Sequence, residues 1–150
     1  MEKVIIYAAS DSAGETAEQV ARAVMRQFDV AEFSVKRFSF INDREAIDDL
    51  ISRAREENSF IVFTLVVEEL RDYLAQKAAL YDIGAVDILT PVLLPLVKEL
   101  GISPKYEPGL LRKLDEKYFK KVEAVEFAVK YDDGKDTRGI LLADIVLIGV

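Results

Sequence analysis

The chain contains no cysteine and no histidine among its 150 residues, and these two absences narrow the chemistry it can perform. Without cysteine there is no disulfide, no thiolate nucleophile and no thiolate ligand for zinc. Without histidine there is no imidazole to act as a general base or as a metal ligand. Any catalysis must therefore use carboxylates, hydroxyl groups, Lys or Arg side chains, backbone amides or a bound hard cation, and no resident metal site is predicted.

Long apolar runs and an excess of positive charge are also missing. No segment approaches the ~20 consecutive apolar residues that a membrane span needs, and the first residues do not resemble a secretory leader. The formal net charge of −7 predicts an acidic surface that repels nucleic acid and anionic lipid. These features predict a cytoplasmic protein that binds neither membranes nor nucleic acids, while 51% hydrophobic residues are enough for a substantial core.

A change in charge balance divides the chain. Residues 1–104 contain 11 Lys and Arg against 18 Asp and Glu, whereas residues 105–138 contain 9 against 8. The change coincides with two stretches rich in Gly and Pro, residues 101–104 and 107–109, which are typical of a hinge. The sequence therefore predicts a first domain over residues 1–104.

Within that first domain, apolar strands alternate with amphipathic helices. Strands are predicted over residues 4–8, 32–40, 60–63 and 86–89, and the polar–apolar alternation of the second places it near an edge of the sheet. Helices are predicted over residues 16–28, 42–54 and 67–81, and from residue 90 onward. This alternation predicts an α/β fold with a doubly wound parallel sheet of the Rossmann or flavodoxin type.

Polar residues at the predicted helix starts indicate how the helices begin. Ser12 with Glu15 matches a capping box, Asn42 with Glu45 resembles another, and Thr90 before a proline is typical of an N-cap. Apolar spacing also predicts which side of the first helix faces the core. That face is predicted to carry Ala17, Val20, Ala21, Val24 and Phe28.

The remainder of the chain is predicted to be a helix and a strand. Apolar residues from Leu111 to Val129 recur at spacings of three and four, which predicts one long amphipathic helix within a connecting segment, residues 105–139. Residues 140–150 form an almost continuous Val, Ile and Leu run, typical of a buried parallel strand. A strand that ends in glycine is also how a phosphate-binding loop begins. We therefore expect a truncated nucleotide-binding domain here, with Gly149 and Val150 opening its loop.

The first candidate site follows the first predicted strand. In an open parallel sheet, ligands bind outside the carboxyl ends of the strands, and a helix N-terminus there favours an anion. The segment offers hydroxyl groups, a carboxylate and a glycine that allows close backbone approach. Helix capping alone explains the same residue types, so both interpretations stay open at this point. The candidate residues for binding an anion or substrate are Ser10, Asp11, Ser12, Gly14 and Thr16.

A second candidate is the acidic pair that ends the long helix. Asp132 and Asp133 precede Gly134, a combination that is typical of a simple turn. Their functional interpretation is a carboxylate pair that holds Mg²⁺ or accepts a hydroxyl proton. On that interpretation they are candidate catalytic residues.

Two familiar α/β families do not fit the loops. Residues 10–16 resemble the phosphate loop of flavodoxins with one residue too many, and the later loops lack aromatic residues to stack a flavin ring. A phosphoacceptor receiver domain requires an aspartate after the third strand, where this chain has Thr64. A small flavodoxin-like carrier is retained only as an alternative, which a colourless purified protein would exclude.

Ordered segments along nearly the whole chain resemble another family. They include residues 10–18, 63–66, 86–89, 107–110, 114–119 and 126–134, and the terminal strand from Ala143. In this combination they are similar to the regulatory proteins of pyruvate, phosphate dikinase or phosphoenolpyruvate synthase. Residues 143–150 correspond in that family to the strand before the phosphate-binding loop. Ala13 stands where a threonine is common.

The resemblance implies a bifunctional enzyme. Its kinase activity transfers phosphate from ADP, which Mg²⁺ can accompany as a cofactor, to a threonine of the dikinase or synthase. Its phosphorylase activity removes that phosphate with inorganic phosphate as the acceptor. The resemblance also implies that these 150 residues alone are inactive. The alternative is a non-catalytic docking module, which would bind the dikinase without nucleotide. The apolar C-terminal segments further predict a homo-oligomer.

Overall fold

The computed structural model of the chain describes residues 3–29, 32–131, 138, 141 and 142. Four strands alternate with four helices, and a fifth helix follows. The strands are β1 (Val4–Ser10), β2 (Phe33–Phe38), β3 (Phe60–Thr64) and β4 (Ala85–Asp87). The helices are α1 (Glu15–Met25), α2 (Arg44–Glu56), α3 (Glu68–Leu80), α4 (Thr90–Leu100) and α5 (Leu110–Tyr131). The predicted alternation of strands and helices is confirmed.

All four strands are parallel and lie in the order β2-β1-β3-β4. The central strand β1 pairs with β2, where Val4 is opposite Phe33, and with β3, where Ile6 is opposite Phe60. Strand β2 lies at an edge of the sheet, as its polar–apolar alternation predicts. Because the strands are parallel, their carboxyl ends and the loops that follow them lie along one edge.

Helices cover both faces of this sheet, which confirms the doubly wound arrangement. On one face, Tyr7, Ile61 and Phe63 pack against α2 and α3 in the larger core, where Leu50 and Leu74 are fully buried. The other face carries a smaller core, in which the strand residues Ile6, Ala8 and Val62 pack against Ala17, Ala21 and Met25 of α1.

The predicted inward face of α1 is partly wrong. Val20, Val24 and Phe28 are 36%, 49% and 59% exposed, whereas Ala17 and Ala21 are buried. Small alanine side chains allow the helix to approach the sheet closely, so the buried stripe is centred on them and the larger apolar side chains lie at its margin. Phe28 also lies beyond the end of the helix at Met25.

The helix starts differ from the predicted caps as well. Gly14, in a left-handed conformation, is the N-cap of α1, and no described side chain caps this helix, so the capping box predicted at Ser12 is wrong. Asp43 rather than Asn42 caps α2, because its Oδ1 accepts a 2.8 Å hydrogen bond from the Ala46 backbone N–H. Thr90 is the first residue of α4 instead of its N-cap.

The chain forms two compact units, Met1–Gly109 and Leu110–Val150. The second unit contains α5, whose 22 residues confirm the predicted long helix. Of the strand predicted over residues 140–150, only Leu141 and Leu142 are described; Leu141 is helical and Leu142 lies in a turn. No helix in the described ranges is long and apolar enough to cross a membrane.

Candidate functional site

The loop after β1 is fastened to the loop after β2. The Phe40 backbone N–H donates to the Ser12 carbonyl oxygen at 2.9 Å, and the Ile41 N–H donates to the Ser10 carbonyl oxygen at 3.0 Å. The Ser39 hydroxyl donates to the Ala13 carbonyl oxygen at 2.7 Å. These hydrogen bonds satisfy the carbonyl groups of the first loop and fix its path along the carboxyl edge of the sheet.

Asp11 joins the same loop to the start of α3. Its side chain is 5% exposed, and its Oδ2 accepts hydrogen bonds from the backbone N–H groups of Val66 at 2.7 Å and Val67 at 3.4 Å. Burial raises the pKa of the Asp11 carboxyl above its usual 3.8, and the two backbone hydrogen bonds partly offset that increase. The carboxylate thus anchors two loops through backbone N–H groups of the second one.

The serine hydroxyls of this loop have different surroundings. Ser10 is buried, and its hydroxyl accepts from the Ser12 backbone N–H at 3.0 Å and lies 3.4 Å from the Thr64 carbonyl oxygen. Ser12 is half-buried, and Thr16 is exposed in the first turn of α1. Ser10 therefore shapes the loop, whereas Ser12 and Thr16 are the candidates that can reach a ligand.

Gly14 is required by its conformation and by its neighbour. Its φ of +82° is a left-handed value that residues with a side chain rarely adopt. A Cβ atom at this position would lie 3.0 Å from Cγ and 3.2 Å from Cδ of Arg37. The glycine therefore lets the Arg37 side chain pass over the start of α1, where it forms an ion pair with Glu18.

The start of α1 combines uncapped backbone N–H groups with a charged network. Glu18 accepts hydrogen bonds from Arg22 and Arg37. These bonds, with the larger contribution from Arg22, hold the pKa of the Glu18 carboxyl below its usual value. Among the residues that the structure describes, no side chain accepts a hydrogen bond from the first N–H groups of this helix. Exposed N–H groups at a helix N-terminus, together with guanidinium groups one turn away, are suited to a phosphate or carboxylate group.

Gly109 brings a distant part of the chain to this loop. Its φ is +73°, and a Cβ atom on it would lie 3.4 Å from the Ser12 Oγ. Gly109, from one of the segments that resemble the dikinase regulatory proteins, thus lies beside Ser12, from another. Sequence reasoning treated residues 107–109 as a hinge and missed this contact, for which the sequence offers no local signal.

A second polar cluster follows β4, and sequence reasoning also missed it. The Asp87 carboxylate accepts hydrogen bonds from the Leu89 and Thr90 backbone N–H groups, at 2.9 and 3.1 Å, and from the Thr90 hydroxyl. The Arg71 guanidinium, whose side chain is 14% exposed, lies 3.9 Å from the same carboxylate. Asp side chains often accept hydrogen bonds from backbone N–H groups two or three residues later in a turn. The spacing of Asp87 and Thr90 is therefore a sequence signal that predicts this cluster.

The remaining predicted site residues cannot be placed. Asp132, Asp133, Gly149 and Val150 all lie outside the described residues. Within the described part of the chain, no group of three or more carboxylates is arranged to hold a metal ion. The structure therefore brings together Ser10, Asp11, Ser12 and Gly14 at one loop, with Thr16 on the helix that follows.

The chain is similar to known proteins over nearly all of its length. The model of the family described as kinase/pyrophosphorylase matches residues 6–150. A pyruvate, phosphate dikinase regulatory protein of Alkaliphilus metalliredigens is 56% identical over 99% of this chain and 54% of its own length. Proteins with that name from Alkaliphilus oremlandii and Clostridioides difficile are 52% and 48% identical, over 98% and 100% of the chain and 53% and 54% of their lengths.

Both comparisons agree with the resemblance found in the sequence. The family model covers almost every residue of the chain, and the identities of about one half extend across both compact units. The chain spans about half the length of the curated relatives it matches. On this evidence, the chain belongs to the kinase/pyrophosphorylase family.

Proposed function

We propose that this chain is the N-terminal part of a bifunctional regulatory enzyme that acts on pyruvate, phosphate dikinase or phosphoenolpyruvate synthase. The observation that carries the proposal is the 56% identity, over 99% of the chain, to a protein named for regulating the dikinase. The kinase/pyrophosphorylase description of the family supports phosphate transfer in both directions.

The proposed kinase reaction moves the β-phosphoryl group of ADP to a threonine hydroxyl of the target. The threonine oxygen forms a new bond to phosphorus, the bond to the α-phosphate oxygen breaks, and AMP leaves. The reverse-acting phosphorylase uses inorganic phosphate as the acceptor, so threonine is restored and pyrophosphate is released. Such reactions need the donor to be positioned and its charge neutralised, which ADP-bound Mg²⁺ can assist.

The parts of the chain divide these tasks. We assign Gly149 and Val150 to the opening of the ADP phosphate loop, and Asp132 and Asp133 as candidates to accept the threonine proton or hold Mg²⁺. The loop of Ser10 to Thr16 is assigned to the phosphorylated threonine of the target. This assignment is supported by the uncapped start of α1 and by the accessible hydroxyls of Ser12 and Thr16.

The function is tested with the full-length protein that contains this chain and a purified dikinase. Incubation with ADP should inactivate the dikinase, and subsequent addition of inorganic phosphate should restore its activity and release pyrophosphate. Asp132→Asn and Asp133→Asn should slow the inactivation about 100-fold or more, whereas Asp49→Asn, an exposed partner of Arg53 on α2, should not. Stable binding to the dikinase without any phosphate transfer would instead favour the docking-module alternative.

The role of the first loop is tested in the same assay. Removing the Thr16 hydroxyl (Thr16→Ala) should slow the phosphorylase direction, because the phosphothreonine is then held less firmly. Gln19→Ala, an exposed change on the same helix, is the matched control. Equal rates for both variants would leave the loop with a structural role only.

A further inference from the structure

A recess on the outer surface of α2 and α3 is separate from the candidate site. It has a volume of about 240 Å³ and is lined by Asp48, Ile51, Ser52, Arg55, Lys77 and Tyr81. The α2 residues are spaced three and four apart, and Lys77 of α3 lies four residues before Tyr81, which follows the end of that helix, so the recess runs between the two helices. Arg55 and Lys77 belong to the last turns of their helices, whereas the candidate site lies at the helix starts.

One wall of the recess is held in place by a network of ion pairs and hydrogen bonds. Lys77 Nζ lies 2.8 Å from Asp48 Oδ1, and the Tyr73 hydroxyl donates to the same carboxylate at 3.0 Å. The hydrogen bond from Lys77 keeps the pKa of the Asp48 carboxyl below its usual value, so this carboxylate is ionised at neutral pH. Asp48 and Lys77 therefore neutralise each other.

Arg55 forms the opposite wall and is left with unused hydrogen-bond donors. Its guanidinium carbon lies 5.4 Å from the centre of the Tyr81 ring, which restricts the orientation of the group. Within the described ranges, the Arg55 side chain makes no hydrogen bond or ion pair, whereas that of Arg53 on the same helix pairs with Asp49 at 3.0 Å. With two cations against one carboxylate, the recess is positively charged in a chain whose net charge is −7.

The size and donors of the recess limit what it can bind. Pockets for whole cofactors and drug-sized ligands measure about 300–1,000 Å³, so 240 Å³ is suited to the end of one side chain. Helix N-termini bind phosphate through their free backbone N–H groups. The residues of α2 and α3 that line this recess come after the first turn of each helix, so those N–H groups do not line it. A planar guanidinium beside a serine hydroxyl offers the donors that a carboxylate group accepts.

We propose that this recess binds the carboxylate of an aspartate or glutamate side chain on a protein partner, with Arg55 as the principal donor. The identity of that partner as the dikinase or synthase rests on the proposed function. A second attachment point, separate from the loop of Ser10 to Thr16, would let the enzyme hold its protein substrate by contacts that do not change during the reaction.

The proposal is tested by titrating the protein with a blocked peptide that contains one glutamate among alanines and serines. Nuclear magnetic resonance should show saturable shifts of the Arg55 Nε–H and of the Ser52 amide, with a dissociation constant on the order of 1 mM. The same peptide with glutamine should bind about tenfold or more weakly. Inorganic phosphate should not compete, and competition at similar concentrations would overturn the assignment to a side-chain carboxylate.

Variants separate a defined site from general charge attraction. Arg55→Gln should abolish the shifts of the Ser52 amide, whereas Arg53→Gln, with an identical change in charge on the same helix, should leave the affinity unchanged. Equal weakening of peptide binding by both variants would overturn the proposal. Unchanged peptide binding by Arg55→Gln, even if that variant loses folding stability, would overturn it as well. The titration contains no nucleotide and no turnover, so its failure is distinguishable from failure of the proposed phosphate transfer.

Discussion

The Asp11 carboxylate and the Val66 backbone N–H, 55 residues apart in sequence, are joined by a 2.7 Å hydrogen bond at the carboxyl edge of the sheet. The bond connects the loop after β1 with the loop after β3, and Asp11 is almost completely buried where it does so. A buried carboxylate loses hydration, and backbone N–H groups replace part of it. This aspartate therefore affects stability in a way that depends on its protonation.

Replacing Asp11 tests that dependence. Asp11→Asn keeps an oxygen acceptor and removes a buried charge, so at pH 7 its free energy of unfolding should equal or exceed that of the wild type. Asp11→Ala leaves the Val66 N–H without its partner and should cost about 1–3 kcal/mol. Urea unfolding of the three proteins provides the comparison.

The pH dependence of the same comparison has a definite sign. Because the folded-state pKa of Asp11 is raised above 3.8, the folded protein binds this proton more strongly than the unfolded chain does. The resulting stabilisation is complete below pH 3.8 and is lost as the pH rises through the folded pKa. The wild type should therefore gain stability relative to Asp11→Asn as the pH falls from neutral, and a constant difference would contradict the account.

The two glycines Gly14 and Gly101 separate backbone strain from side-chain crowding. Both have positive φ, but a Cβ on Gly14 would meet Arg37, whereas a Cβ on Gly101 would meet nothing within 4 Å. Gly101→Ala should cost about 1–2 kcal/mol from strain alone, and Gly14→Ala should cost more. Thermal unfolding should also show that Arg37→Ala relieves part of the Gly14→Ala cost, and equal costs for both glycines would refute the crowding argument.

Tyr7 has a buried hydroxyl with no hydrogen-bond partner among the described residues. Burial, with a further contribution from Glu57, raises the pKa of Tyr7 to about 12. Since this pKa lies above that of the unfolded chain, the associated stability is complete below pH 10 and is lost as the pH rises towards 12. Tyr7→Phe should keep or slightly increase stability at pH 7, because it removes an unsatisfied polar atom.

The titration of Tyr7 can be followed directly. In an alkaline titration followed by tyrosinate absorbance, the wild type should show a component near pH 12 that Tyr7→Phe lacks. If both proteins give the same curve, the hydroxyl is not held in a buried environment.

Substitutions on the two sides of α1 should differ in their cost to stability. Ala21 is 1% exposed against the sheet, so Ala21→Leu should overpack the core and cost about 1–3 kcal/mol. Val24 is 49% exposed, so Val24→Ser should change the free energy of unfolding by about 0.5 kcal/mol or less. Chemical denaturation measures both free energies of unfolding. A larger cost for Val24→Ser than for Ala21→Leu would show that the inward face predicted from the sequence is right.

These residues show how far sequence patterns determine this fold. Strands and helices were predictable because apolar residues recur with clearly different periods in the two. The edge position of β2 followed from the alternation of polar and apolar residues along it. The orientation of α1 was not predictable, because its apolar residues form two adjacent stripes. Only packing against Ala8 and its neighbours determines that the stripe with Ala17 and Ala21 faces the sheet. Local propensity does not contain that information.

The candidate site was predictable in its position and not in its contacts. A loop of small polar residues after β1 marks the carboxyl edge of a parallel sheet, and Ser10 to Gly14 lie there. Asp11 binds the Val66 N–H and Gly109 lies beside the Ser12 hydroxyl, and only the tertiary structure brings these residues together. An aspartate that caps a turn and one that binds two distant amides look identical in sequence.

The most direct test of the central claim follows the phosphate itself. The full-length protein containing this chain is incubated with dikinase and ADP labelled in its β-phosphate, and the dikinase is digested and analysed by mass spectrometry. The account predicts label on one threonine of the dikinase, formation of AMP, and release of that label as pyrophosphate when inorganic phosphate is added. A dikinase that remains unlabelled, or that is labelled only from the γ-phosphate of ATP, would contradict it.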